Sequence, residues 1–190
     1  MSEAGLEALF NQFPELRAGD LVLREVTQVD IPSLFSIFSD PQVMEFYDML
    51  AFERTEQAAE MVDRWRGRFE RRQAVRWGIV RAGQEQVIGT IGLYPETEWK
   101  AALGYDLGRA HWRQGIMTRA LEAVIRFAFQ QVELERLEAL VLPGNWASAG
   151  LLGKHGFTRE GLLRRYAYFK GAHHDLECYS LLRSEILPYD

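Results

Sequence analysis

Hydrophobic positions fall into runs whose period changes several times along the chain. Leu21, Val22, Leu23 and Val26 make a short β-rich run, and Ile31, Leu34, Phe35 and Phe38 then recur at helical spacing behind Asp30 and Pro32. Ser39-Asp40-Pro41 ends that helix with turn chemistry, and Thr55-Glu56 opens a second amphipathic helix that runs to about Arg72. Residues 75–81 and 87–94, joined across Ala82-Gly83, predict an antiparallel hairpin closed by Pro95. Residues 101–107 predict a further strand, and 108–115 a loop feeding the most regular helix of the chain. Its apolar stripe is Met117, Leu121, Val124, Ile125 and Ala128, while Arg119, Glu122, Arg126 and Gln130 point the other way. Residues 137–142 form a strand bounded by Pro143-Gly144, and Asn145 stands as N-cap of a helix over 147–155 that Gly156 stops. The remaining stretches, 157–163, 166–170 and 176–183, predict strands joined by turns, with Gly171 between the last pair. The order is βααβββαβαββ, a mixed α/β fold.

Composition narrows the class. With 190 residues, 47% hydrophobic and 26% charged, the chain can bury a continuous core, and the absence of low-complexity tracts predicts one domain over 1–190. Its core spans 21–183, and residues 1–20 form an N-terminal extension with helical character. A net charge of −5 argues against direct nucleic-acid binding, which needs a surplus of Lys and Arg on one face. Arg64, Arg66, Arg68, Arg71 and Arg72 do crowd one stretch, and are read as a solvated helix face salted by Glu60 and Glu70. The single Cys178 cannot form an internal disulfide and is expected to be a buried structural thiol. Residues 1–10 lack the basic flank and apolar run of a signal peptide, and no apolar run approaches the ~20 residues of a membrane helix. The expectation is a cytoplasmic protein with no membrane partner, as a monomer or homodimer.

Candidate chemistry concentrates in two places. His111-Trp112-Arg113-Gln114-Gly115-Ile116-Met117-Thr118 lies between a strand and a strong helix, where free backbone N–H groups and the positive end of the helix dipole favour an anion. Gly115 lets a phosphate approach the backbone, and Arg113 can add a charge-assisted contact. Gly150-Leu151-Leu152-Gly153-Lys154 fails the Walker pattern, with Ser148 and His155 at key positions, and no Gly-x-Gly-x-x-Gly follows a strand. His173-His174 beside Asp175 lacks further ligands at metal spacing, so no metal is expected. His111 and His155 are read as surface or packing residues, and Trp65, Trp77 and Trp99 as core or pocket lining.

Gly104-Tyr105-Asp106-Leu107, then Trp112 to Thr118 with Ala120-Leu121, resembles motif A of the GNAT superfamily of N-acetyltransferases. Asn145-Trp146-Ala147-Ser148, followed by Leu151-Leu152 and Lys154-His155-Gly156-Phe157, is similar to that family's Asn-x-x-Ser and Lys-x-Gly-Phe pattern. Within the superfamily the likeness is to the ribosomal-protein alanine N-acetyltransferases and extends from about Leu21 to Arg183. Trp112 and Met117 depart from the general motif but occur in that branch. The resemblance implies a mostly antiparallel central sheet of about seven strands, splayed between the fourth and fifth. It also implies acetyl-coenzyme A as cosubstrate, bound by Leu107, Trp112, Arg113, Gln114, Gly115, Ile116, Met117, Thr118, Asn145, Ser148 and Lys154.

The implied reaction is direct transfer to an amine, with backbone N–H groups near Leu107 stabilising the oxyanion and Ser148 hydrogen-bonding the departing sulfur. Cys178 is not expected to carry an acyl group. Many relatives place a Glu base where Ala102 stands here. Alternation puts Ala102, Gly104 and Asp106 on one strand face, making Asp106 the nearest substitute, with Glu98, Tyr166 and Tyr168 behind it. The absent Glu favours an acceptor that deprotonates easily, a peptide or protein N-terminus. A small-molecule amine of aminoglycoside or polyamine type is the second enzymatic reading, and a non-catalytic acyl-coenzyme A sensor the third.

Overall fold

A computed structural model describes residues 3–186. Its elements are α1 (Glu3–Phe10), β1 (Leu16–Ala18), β2 (Leu21–Glu25), α2 (Ile31–Phe38), α3 (Thr55–Glu70), β3 (Val75–Arg81), β4 (Gly89–Pro95), β5 (Lys100–Leu107), α4 (Ile116–Gln130), β6 (Arg136–Val141), α5 (Trp146–Lys154), β7 (Thr158–Phe169) and β8 (Ala172–Leu182). The strands form one 8-stranded sheet in the order β1-β2-β3-β4-β5-β6-β8-β7. Every neighbouring pair is antiparallel except β5–β6.

Two differences from the sequence expectation have local causes. Leu16–Ala18 adds a strand to the expected set, inside the stretch taken as a helical extension, turning back on β2 through Gly19 at φ 65°. Three residues are too few for an alternation to register. The stretches 157–163 and 166–170 are one strand, β7, whose ladder with β8 shifts between Leu163 and Ala167. Arg165 sits there at φ 50° and its N–H donates to Asp175 Oδ1 at 2.7 Å, so the polar interruption is a bulge rather than a turn.

The sheet is covered on both faces. Val75, Trp77 and Ile79 of β3 join Leu121, Val124, Ile125 and Phe127 of α4 in the larger core, with α1 and Leu152 of α5 on the same side. Val80 joins Leu34, Ile37 and Phe38 of α2 and Ala58, Met61 and Val62 of α3 on the other. The residues of the α4 stripe are all buried, and Phe127 and Phe129 extend the buried face beyond it. At about 25 cal/mol per Å2 of apolar area removed from water, this two-layer burial is the main favourable term of folding.

The site depends on one irregularity. The parallel ladder of β5 with β6 covers Lys100↔Arg136, Ala101↔Leu137 and Ala102↔Glu138 and then stops, although β5 continues to Leu107 and β6 to Val141. The sheet therefore splays open between Leu103–Leu107 and Ala139–Val141, which are the fourth and fifth strands of the sequence reading.

Candidate functional site

Gly115 is the N-cap of α4 and holds a left-handed φ of 69°, with nothing within 4 Å of where a Cβ would stand. Arg113, two residues earlier, is also left-handed, at φ 58°. Together they turn the loop so that α4 begins facing outward. The amides of Ile116, Met117 and Thr118 have no acceptor among the described residues, and the first bond of the helix runs from the Arg119 N–H to the Gly115 carbonyl at 3.2 Å. The helix dipole adds partial positive charge at the same point. An open concavity of free amides fits a diphosphate.

The side chains around it divide the work. Ile116 and Met117 are buried, so they offer amides only. Gln114 accepts from Arg81 Nη2 at 2.9 Å and donates to the Ala110 carbonyl at 2.9 Å, bracing the loop rather than facing a ligand. Trp112 Nε1 donates to the Leu107 carbonyl at 2.7 Å and ties the loop to the end of β5. Arg113 is exposed and has no ion-pair partner among the described residues, free to meet an anion, and Thr118 is half-buried.

The gap next to the cradle presents a second set of unsatisfied groups. The Gly108 N–H donates to the Ile88 carbonyl at 2.9 Å, toward β4. In an antiparallel ladder alternate residues point their N–H and C=O to opposite sides, so the N–H and C=O of Tyr105 and the N–H of Leu107 point into the opening beside β6, while the Leu107 carbonyl is taken by Trp112 Nε1. A ligand arm bearing amides fits there as an added strand would, with the Leu107 N–H as a hydrogen-bond donor inside the gap.

Across the gap lies α5. Asn145 caps it, its Oδ1 accepting from the Ser148 N–H at 3.1 Å. This puts Ser148 in the first turn with its Oγ 2.7 Å from the Tyr105 hydroxyl. Burial pushes the Tyr105 phenol up to about 12, so it stays protonated. Lys154 is exposed in the last turn of α5, about 9 Å along the axis from Ser148 at 1.5 Å per residue.

A cavity of about 680 Å3 runs from the α3 side of the sheet through this gap to Tyr105, Asn145 and Ser148. Its walls are Trp65 of α3, the Phe46–Met49 loop, the end of β7 from Tyr166 to Phe169, and β6 from Ala139 onward. Lys170 Nζ donates to the Met44 carbonyl at 2.7 Å, tying the β7–β8 turn to that loop.

Arg76 forms the floor. It donates to Thr90 Oγ1 at 2.7 Å, the Tyr94 hydroxyl at 2.7 Å, the Gly104 carbonyl at 3.1 Å and the Tyr47 hydroxyl at 3.4 Å. Its Nη2 is also paired with Asp106 Oδ2, and its guanidinium lies 5.3 Å from the Trp65 ring centroid. Asp106 itself does not line the cavity. Its side chain is 2% exposed, bound to Arg76 and to Thr90 Oγ1 at 2.7 Å, and burial pushes its carboxyl up against the pull of Arg76. The expectation that Asp106 faces the acceptor as a base meets this obstacle, since a carboxylate sealed beneath a guanidinium has no path to an incoming amine.

Of the weaker base candidates, Tyr166 and Tyr168 reach the cavity and Glu98 does not. Asp48 is the one carboxylate among the lining residues. The sequence reading passed over Arg76, Tyr94, Tyr47 and Asp48, and named Tyr105 within the motif without giving it a role. A charged residue inside the run 75–79, in a strand covered on both faces, was the available signal for Arg76.

Of the singled-out tryptophans, histidines and cysteine, Trp65 alone lines the cavity. Trp77 is core and Trp65 lines the cavity, but Trp99 is 50% exposed and does neither. Cys178 is half-buried rather than buried, with Sγ 3.9 Å from Glu160 Oε2. His174 stacks on Phe169 with ring centroids 4.0 Å apart. His111 ends the short helix before the cradle and His155 follows α5. Among the described residues no group of three or more His, Cys, Asp or Glu could hold a metal ion, and no helix is long and apolar enough to cross a membrane.

Comparison with known proteins agrees with this geometry. Residues 20–158 match the model of the acetyltransferase (GNAT) domain. The chain is 34% identical over 173 residues to the uncharacterized N-acetyltransferase YoaA of Bacillus subtilis (strain 168), covering 90% of this chain and 98% of that protein. It is 34% identical over 73 residues to the [ribosomal protein uS5]-alanine N-acetyltransferase of Escherichia coli (strain K12), covering 38% of each. Mycobacterium smegmatis RimJ, solved in complex with a CoA-disulfide, superposes with a TM-score of 0.80 at 25% identity, over 93% of this chain and 89% of that one. With the amide cradle, the splayed sheet and these likenesses in one chain, the protein belongs to the GNAT family and is an acetyl-coenzyme A-dependent N-acetyltransferase.

Proposed function

We propose that the acceptor is the α-amine of a protein N-terminus, of the Ala or Ser type found on ribosomal proteins, acetylated by direct transfer in the gap between β5 and β6. The observation that carries this reading is the cavity lining. It leads through the splay to Ser148 and Tyr105, yet its one carboxylate, Asp48, is exposed. No strong base waits for the amine. An α-amine with pKa near ~8 is roughly a tenth neutral at pH 7, whereas a lysine amine near ~10.4 must lose about 3 kcal/mol more to deprotonate. The likeness to a ribosomal-protein alanine N-acetyltransferase and to RimJ supports the same acceptor class.

Acetyl-coenzyme A supplies the activated acyl group. Ile116, Met117 and Thr118 hold its diphosphate through their amides, with Arg113 beside them and Lys154 farther along. Asn145 shapes the first turn of α5, and Ser148 donates a hydrogen bond to the departing sulfur with Tyr105 behind it as a hydroxyl that stays protonated. Asp106 acts through Arg76, holding the floor of the acceptor cavity in place.

Purified protein should be given acetyl-coenzyme A with three substrates: a free-N-terminus Ala peptide, the same peptide N-blocked with an internal lysine, and a polyamine. Free-thiol release and mass-spectrometric location of the acetyl group read the outcome. Preference for the free N-terminus is expected. Equal turnover of the lysine peptide, or turnover of the polyamine alone, would contradict the proposal.

A further inference from the structure

The arginines of α3 divide into two sets. Arg66 points away from the cavity and is neutralised by Asp63 at 3.1 Å and Glu70 at 4.0 Å. Arg64 and Arg68, one turn apart on either side of Trp65, line the cavity mouth. Both are exposed, and neither meets a carboxylate within ion-pair distance among the described residues. Of the salting expected from Glu60 and Glu70, only that of Glu70 is seen, and it reaches Arg66 and leaves these two out.

That arrangement has an electrostatic cost. Like charges one turn apart on a helix repel by about 0.2–0.5 kcal/mol, and an anion between them reverses the sign. The chain as a whole carries −5, so an uncompensated cationic pair at one rim is a local inversion of its field. Asp48, on the same lining, forms no ion pair with either arginine among the described residues and offsets one charge of the two. Deeper in, Arg76 is saturated by five partners and cannot take an anion. The opposite wall carries the exposed rings of Tyr166 and Tyr168, which give a peptide apolar surface without competing for charge.

We infer that Arg64 and Arg68 form an anion subsite of the acceptor cavity, selecting amines that carry carboxylates near the reacting nitrogen. For a protein acceptor this means an N-terminus followed within its first few residues by Asp or Glu. With the amine directed into the gap, an extended chain advances about 3.3 Å per residue toward the mouth, where the guanidiniums stand. The inference rests on the reading that this cavity receives the acceptor.

The test is equilibrium binding by calorimetry to the coenzyme A-loaded protein, with product formation from acetyl-coenzyme A scored in parallel. The probes are an Ala-Ser-Asp-Glu-Leu peptide and its isostere Ala-Ser-Asn-Gln-Leu. The acidic peptide should bind about tenfold more tightly at low salt, with the ratio shrinking as salt rises. The ratio should collapse in the Arg64→Gln/Arg68→Gln variant and persist in Arg66→Gln, whose side chain lies outside the cavity. Equal binding of the two peptides, or a preference that survives the double variant, overturns the inference. Preference without any acetylated product would leave the subsite standing and sink the N-terminal acceptor reading; product from both peptides without preference would do the reverse.

Discussion

Gly115 is the position where a single side chain should do most damage to cofactor binding. Its φ of 69° costs an ordinary residue about 1–2 kcal/mol, and a branched side chain there would fill the concavity left open beside the α4 amides. Gly115→Val should raise the KM for acetyl-coenzyme A at least tenfold while the thermal midpoint falls by only a few degrees, as steady-state kinetics and calorimetry would register. Ser148 is proposed to act in the chemical step. Ser148→Ala should lower kcat about a hundredfold with little change in KM, and Tyr105→Phe about tenfold, because the hydroxyl behind the donor is one bond removed. Asp106→Asn separates a structural carboxylate from a base. It should destabilise the protein by about 3 kcal/mol in urea, since Arg76 stays charged and buried, yet leave the pH dependence of kcat/KM following the peptide amine. Loss of the alkaline rise in that profile would instead return Asp106 to the reaction. Asn145 and Gly115 were legible in the chain because each does a backbone task its residue type performs best. Tyr105 and Arg76 were not, because their roles come from partners distant in sequence, at Ser148 and at Asp106.

Among the elements, α4 could be read from its stripe alone, whereas the gap between β5 and β6 was expected only through the family resemblance and not from the pattern of either strand. Both strands have ordinary alternation; only the ladder ending at Ala102↔Glu138 separates them, and that is a property of pairing rather than of either sequence. The same holds for β7, where a bulge at Arg165 breaks the hydrophobic pattern without breaking the strand. Glu160 on β7 fastens this edge: it accepts from Arg136 of β6 at 2.8 and 2.6 Å and from Ser180 of β8 at 2.7 Å. The Arg136 guanidinium, with Ser180, lowers its carboxyl from 4.5 to about 2. A carboxyl depressed in the folded state adds stability that is complete above its unfolded value and is lost as pH falls through the folded one. Glu160→Gln should therefore narrow the stability gap to wild type steadily between pH 4.5 and about 2, as urea titrations at a series of pH values would show. With the side chain 42% exposed, the gap at neutral pH should be small. A gap independent of pH would mean that the ion pair contributes nothing.

At the scale of the whole molecule, the helices sort to the two faces of the sheet, and under the proposed function that sorting separates the two substrates. The cradle at α4 and the cap of α5 lie on one side, α3 and the Phe46–Met49 loop on the other, and the splay is the passage between them. The order of elements conveyed this layering, because helical and strand periods alternate as a mixed α/β sheet requires. The cavity wall proposed for the acceptor stayed hidden because it is assembled from α3, a loop near residue 47 and the end of β7, segments that no local motif joins. The most direct measurement is a crystal structure with coenzyme A bound. The diphosphate should accept hydrogen bonds from the amides of Ile116, Met117 and Thr118, and the sulfur should lie in the splay within hydrogen-bond reach of Ser148 Oγ. Coenzyme A bound elsewhere, or a gap closed by continued pairing of β5 with β6, would contradict the account.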